Sequence, residues 1–357
     1  MYDFLLDYGP VGMLLLLTGG FVFLIAGGIS LVRNVSRCGS LAGLSPLFVA
    51  LTLAACCACA PEAAIAVIAA RHENSDFAVG TIIGGCTLNI CLILGLASLC
   101  SPIRLSGSLV WFAIPLTPIC ALFLLLLTFG GGVGTLDDLV AGKLEGLLTR
   151  PIGFFLCLVY VTMTMWAIFF LRRNEVQETL TVQITQSIRE QVEKHPYGGT
   201  TGLFIAGVCG TIIGVGLLVL GSDMLIKGAS MTVKILDVSE LLVGLTLLAI
   251  GTSLPELLTM LVAVKNNRSE LAVATVIGSN IVNLLGVFGV TALLTPGGLP
   301  IPAQAMQCDI PILIIGSILC TIFCYTDRRL TRPEGLFLLL FYAFYMFLLL
   351  ISALSGW

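Results

Sequence analysis

Long apolar stretches separated by short polar ones make up most of the chain. A helix needs about 20 apolar residues to cross a bilayer. Ten segments of that kind can be read, at roughly 11–32, 44–70, 77–100, 108–130, 151–171, 202–226, 239–264, 270–295, 308–325 and 334–355. Nothing sizeable remains for a soluble domain. One segment holds an anomaly: LFVALTLAACCACAPEAAIAVIAA carries a single charge, Glu62, directly after Pro61. A carboxylate in the middle of a span is expensive and points to function, and proline there interrupts the helix.

Composition fixes the class. The 357 residues are 58% hydrophobic and 10% charged, with a mean hydropathy of +1.08, which a soluble protein of this size does not carry. The first segment is too long for a signal peptide and lacks a charged leader and a small-residue cleavage site. With the N-terminus outside, alternate loops place 12 of the 17 basic residues inside and 5 outside. The positive-inside rule then puts both termini outside. Thirteen cysteines fall almost entirely within apolar segments. They read as small packing residues in close helix contacts, with a soft-metal site at CCAC as the sharper alternative. There is no nucleic-acid signature and no phosphate-binding motif, so energy must come from an ion gradient and the chain is not read as an enzyme. No cofactor and no obligate protein partner are implied; the partners are the lipid bilayer and small cations.

The chain repeats itself. Pro61-Glu62 returns as Pro255-Glu256, an offset of 194, and at that offset residues 44–102 and 238–296 share 20 identities over 59 positions. Matches such as Gly84 with Gly278, Asn89 with Asn283, Gly95 with Gly289 and Pro102 with Pro296 are not apolar drift. Five spans per copy make the second copy enter from the opposite side. That predicts an all-α polytopic membrane protein of ten transmembrane helices in two inverted five-helix repeats, residues 1–171 and 201–357, joined by a cytoplasmic linker at 172–200. Such a plan is the signature of alternating access, with the site at the midplane where the copies meet.

The anomaly then has a reason. Pro61 and Pro255 free carbonyls from the helical ladder, and in lipid those carbonyls need partners. Glu62 and Glu256 add two negative charges at the same place. Carboxylates, carbonyls and hydroxyls together make an oxygen cage, and flexible cages of that kind favour Ca2+ over Mg2+. The second motif, IIGGCTLN at 82–89 and VIGSNIVN at 276–283, adds Gly84 and Gly278 for close helix approach and the amides Asn89 and Asn283. Those amides could serve as ligands, as interhelical hydrogen bonds, or as both.

The stretch GLTLLAIGTSLPELLTMLVAVKNNRSELAVATVIGSNIVNLLGVFGVTALLTP (244–296) resembles the second alpha-repeat of the calcium/cation antiporter superfamily, in its prokaryotic sodium/calcium exchanger branch. The resemblance covers essentially the whole chain. It implies central sites for one Ca2+ and up to three Na+. By motif position, Thr252, Ser253, Glu256, Ser279 and Asn283 are implied ligands in the second half, and Glu62 and Asn89 in the first.

The first half departs from the pattern: Cys57, Ala58 and Cys59 stand where the family has Gly-Thr-Ser, and Gly85 and Cys86 stand in place of Ser-Asn. The acidic pair survives while the sodium-site hydroxyls of that half are lost. The expected function is a secondary antiporter of the cell (inner) membrane that exports Ca2+ in exchange for Na+. Ca2+/H+ exchange, another divalent cation and a transport-inactive homologue are the alternatives. The Gly-rich faces of the first and sixth spans (Gly19, Gly20, Gly27, Gly28, Gly210, Gly214 and Gly216) are expected to slide against the core. Asp137-Asp138 in FGGGVGTLDD reads as surface charge, and His72 and His195 as loop residues.

Overall fold

The computed structural model describes residues 9–42, 55–105, 107, 109–131, 145–171, 199–265 and 269–355. The protein is mostly helical: α1 (Gly9–Leu41), α2 (Ala60–Arg71), α3 (Ser75–Cys100), α4 (Leu109–Phe129), α5 (Arg150–Leu171), α6 (Gly199–Leu236), α7 (Glu240–Lys265), α8 (269–294), α9 (Ala305–Asp327) and α10 (Arg332–Ser355). Among the described residues, eight helices are long and apolar enough to cross a membrane. The other two are α5, whose Arg150–Trp166 part is a shorter apolar helix, and α2, with 12 residues. Most of the predicted N-terminal half of the second span (44–54), the linker 172–198, His195 and Asp137-Asp138 lie outside the described residues.

Features recur at matched places in the two halves. Helices α3 and α8 each contain a π-helical turn just after the motif, at Asn89–Ile93 and Val282–Val287. Helices α4 and α9 each open with one, at Leu109–Ala113 and Ala305–Asp309. Such turns leave the i→i−4 ladder locally and are common where a helix is shaped for function. Four short strands close the bundle ends, and they pair across the halves. β1 (Ile103–Arg104), which follows α3, pairs antiparallel with β4 (Arg329–Leu330), which precedes α10. β2 (Gly146–Leu148), which precedes α5, pairs with β3 (Leu299–Ile301), which follows α8.

Glycines bring the helices to backbone contact. A Cβ at Gly27 would sit 2.9 Å from the carbonyl oxygen of Gly214, and one at Gly221 would sit 2.8 Å from that of Gly20. Gly214 and Gly221 stand 194 residues after Gly20 and Gly27, so the contact between α1 and α6 is made by one pair of positions and its repeat. Only glycine permits that approach. The crossing of α3 with α10 uses Gly95 and Gly335, and that of α8 with α5 uses Gly289 and Gly153.

These contacts revise the sliding expectation. Gly20, Gly27, Gly214 and Gly221 knit α1 to α6, Gly19 faces Met224, and Gly210 faces Asn34. Gly28, against Pro61, is the member of the predicted set that faces the motif helices, while Gly216 has no atom within 4 Å of its Cβ position. The α1–α6 pair is a unit in itself, because two bare backbone surfaces pack more closely than any surface bearing side chains. Its contacts with the motif helices include Gly28–Pro61, Phe21–Gly251 and the packing of α6 on α2.

Candidate cation site

The two prolines act differently in their local context. In the first half a helical turn, Ala55–Ala58, ends before Cys59, which has φ −85° and ψ 6°. Pro61 then sits in the first turn of α2, where a missing N–H costs nothing. In the second half Pro255 lies inside continuous helix. It supplies no N–H to the carbonyl of Gly251, four residues earlier, so that oxygen is released in the middle of α7.

Glu62 follows Pro61 and is 2% exposed; Glu256 follows Pro255 and is half-buried. The Glu256 carboxylate and the Thr252 hydroxyl both lie in the electrostatic neighbourhood of Glu62. Among the described residues, eight buried side-chain oxygens have no hydrogen-bond partner, and four of them are Glu62 Oε2, Glu256 Oε2, Asn89 Oδ1 and Asn283 Oδ1. These are two pairs related by the 194-residue repeat. A buried oxygen without a donor is costly, and four acceptors left open at repeat-related positions are what a cation would satisfy.

The seven expected ligands come from α2, α3, α7 and α8, and contacts tie these helices together. Cys59 Sγ of the first half lies 3.2 Å from Ser279 Oγ of the second. Gly85 of α3 faces Ser253 of α7, with Ser253 Oγ 3.6 Å from the glycine's Cβ position. Ser253, Ser279, Asn89 and Asn283 are all buried. Thr252 donates its hydroxyl to the Ala249 carbonyl at 3.2 Å.

Asn280 was not singled out from the sequence. It is fully buried, donates Nδ2–H to the carbonyl of Cys86 at 3.1 Å, and accepts the Nδ2–H of Asn89 at 2.8 Å. Using the amide nitrogen of Asn89 this way leaves its Oδ1 turned away and open. Asn280 is thus a positioning residue. The adjacent Ser279-Asn280 was a signal for it, but its repeat partner is Cys86, so the comparison of halves passed over it.

The thiols of the first half lean on the second. Besides Cys59 on Ser279, Cys86 lies beside the Asn283 side chain and donates to the Asn280 carbonyl at 3.9 Å. Cys56 meets the Tyr160 hydroxyl at 3.1 Å. All thirteen cysteines are free thiols. Among the described residues, no three cysteine, histidine, aspartate or glutamate side chains converge as a metal-holding group. An ion here would draw on amide, hydroxyl and backbone oxygens as well as the two carboxylates.

Comparison with known proteins places this geometry. The family model described as "Sodium/calcium exchanger protein" matches residues 12–169 and 206–351. The chain is 31% identical to Inner membrane protein YrbG of Escherichia coli over 319 residues, 88% of each chain. It is 31% identical to the Putative antiporter CaxA of Alkalimonas amylolytica over 345 residues, 96% of this chain and 97% of that one. With the Sodium/calcium exchanger MaX1 of Methanosarcina acetivorans it shares 26% over 352 residues, 94% of this chain and 97% of the other. The fold matches that of the sodium-calcium exchanger NCX_Mj, in the structure soaked with 10 mM Na+ and zero Ca2+, with a TM-score of 0.57 and 24% identity over 94% of this chain and 96% of that one. The fold, the matched model and the relatives agree: this chain is a membrane protein of the sodium/calcium exchanger family, a cation antiporter rather than an enzyme.

Proposed function

We propose that the chain exports Ca2+ in exchange for Na+ by alternating access at a site made of Glu62, Asn89, Thr252, Ser253, Glu256, Ser279 and Asn283. The observation that carries this reading is the set of four buried oxygens without donors, on both carboxylates and both motif amides. Two carboxylates balance a divalent charge in a low-dielectric interior, where one would not. Amide and backbone oxygens complete a shell of the hard, flexible kind that Ca2+ prefers.

Ten crossings arranged as two inverted five-helix repeats, 1–171 and 201–357, belong to the same proposal, with both termini outside. Support comes from the repeat-related π turns, the crosswise pairing of strands and the reciprocal glycine contacts of α1 with α6. In this reading α1 and α6 move as one body past α2, α3, α7 and α8, with Phe21 against Gly251, Gly28 against Pro61 and α6 packed on α2 among the contacts that slide. The contact of Cys59 with Ser279 supports a lower sodium count than the family plan implies, since a thiol occupies the hydroxyl's neighbourhood. A proton at the carboxylate pair is then the second reading for the counter-ion.

The test is uptake of radiolabelled Ca2+ into vesicles holding the purified protein. An outward Na+ gradient should drive uptake; a pH gradient should drive it if the second reading is right. No uptake under either gradient would remove both.

A further inference from the structure

Helix α9 carries a carboxylate that the cation site does not use. Asp309 closes the π-helical turn Ala305–Asp309 and is fully buried. Tyr345 of α10 donates its hydroxyl to Asp309 Oδ1 at 2.9 Å. Asp309 Oδ2 has no partner, and neither does the hydroxyl of Tyr342, one turn earlier on α10. The rings of Tyr342 and Tyr345 lie 6.4 Å apart.

Positions 342, 345, 349 and 352 fall on one face of α10. Leu349 and Ser352 also line a pocket of about 220 Å3 together with Asp237, Ser239 and Gln304. That pocket lies at the membrane face where α10 ends and where α7 and α9 begin. Gln304 of the pocket immediately precedes the π-helical turn that ends in Asp309, and Leu349 follows Tyr345 by one turn of α10; deeper on the same face, Tyr342 lies near Cys91 of α3.

An ionised carboxylate buried with a single neutral donor carries a large desolvation penalty. Tyr345 is the side chain that bonds Asp309, and ion pairs such as Lys227–Asp223 and Arg329–Asp327 lie elsewhere. A metal cation takes about six oxygen ligands, and this cluster offers two open ones. A proton needs one. The titratable groups that face Asp309 are Tyr345 across the helix contact and Cys308 beside it. Asp76 on the packed helix α3 faces Glu145 and Glu240 instead, and Cys120 on α4 faces Cys86.

We propose that Asp309 is a proton-binding site separate from Glu62 and Glu256, reached from the pocket at Asp237, Ser239 and Gln304, through which pH on that face of the membrane sets the rate of exchange. A direct reading of the proton tests this independently of transport. Infrared difference spectra between acidic and alkaline buffer would be recorded on Glu62→Gln/Glu256→Gln protein in phosphatidylcholine vesicles. They should contain a protonated-carboxyl band that Asp309→Asn abolishes. Tyr345→Phe keeps the acid and removes its donor, so it should shift that band, and this arm decides if Asp309→Asn does not fold. In otherwise unaltered protein, Asp309→Asn should retain Ca2+ binding and lose the pH dependence of Ca2+ flux. A spectrum that neither substitution changes, or a pH profile that survives Asp309→Asn, overturns the proposal.

Discussion

The two halves of the cation site start from one pattern and end in different chemistry. Around Glu256 the second half keeps Thr252, Ser253, Ser279, Asn280 and Asn283. Around Glu62 the first half keeps Asn89 and replaces the rest with Ala58, Cys59, Gly85 and Cys86. The replaced positions are not empty. The two thiols are buried and bonded across the interface to Ser279 and to the Asn280 carbonyl. What stays equal between the halves is the charge and the amide, the groups a divalent ion needs. What differs is the hydroxyls, the groups a sodium ion needs.

The largest expected effect tests the part that is equal. Glu62→Gln or Glu256→Gln should each reduce Ca2+ flux by at least a hundredfold in proteoliposomes, while insertion and folding persist. Either change leaves one charge to hold a divalent ion in a medium where attraction between unit charges is several times stronger than in water. Retention of flux by one variant alone would show that the halves are unequal in charge as well as in hydroxyls.

Asn280 sharpens the comparison next, because the first half has a thiol at the matching position. Asn280→Ala removes the acceptor that holds the Asn89 amide and the donor to the Cys86 carbonyl. Loss of such a support typically costs about 10–100-fold in ion affinity. The expected result is weaker Ca2+ binding by calorimetry, with Asn280→Asp restoring part of it by keeping an acceptor for Asn89. Unchanged affinity in Asn280→Ala would mean that Asn89 needs no orientation.

Much of this was legible in the sequence, for physical reasons. Apolar length locates helices, so the described ends of the helices fall within a few residues of most of the segments read beforehand. The acid pair and the amide pair were found because a repeated Pro-Glu or Asn inside a span has no apolar explanation. Asn280 was hidden because the repeat search looks for likeness, and its partner is a cysteine. Asp309 was hidden because it stands at the edge of an apolar segment, where a charge reads as an interfacial residue; the π turn at 305–309 carries the helix past it and buries it. The bonds of Cys59 and Cys86 to the other half depend on how four helices meet, which spacing along one chain does not encode. The glycine contact of α1 with α6 was legible as small residues but not in its partner.

Next in size is the unequal effect of removing one small polar group from each half. Ser253→Ala should weaken the Na+ dependence of Ca2+ flux strongly, since Ser253 is a buried hydroxyl beside Gly85. Cys59→Ala should change it little, since the sulfur is a poor sodium ligand. Replacing an ion's hydration shell requires several oxygens, and a shortfall of about 3 kcal/mol lowers occupancy more than a hundredfold. Equal effects from the two substitutions would remove the asymmetry on which this comparison rests.

The smallest expected effect runs in the opposite direction, by rebuilding the first half. Ala58→Thr, Cys59→Ser and Gly85→Ser together restore the hydroxyls that the repeat places there. The space is favourable at one of these positions at least: a Cβ at residue 85 would lie 3.6 Å from Ser253 Oγ, an ordinary contact. Cys59→Ser exchanges a thiol for a hydroxyl in a pair already 3.2 Å apart, so Ser279 keeps a partner. A serine hydroxyl is also a far better sodium ligand than the sulfur it replaces. The triple variant should therefore steepen the dependence of Ca2+ flux on Na+, read as a higher Hill coefficient at unchanged maximal flux. A steep Na+ dependence already present in the unaltered protein, and left unchanged by the three substitutions, would show that backbone carbonyls supply the first half's sodium ligands and that its lost hydroxyls carry no functional consequence.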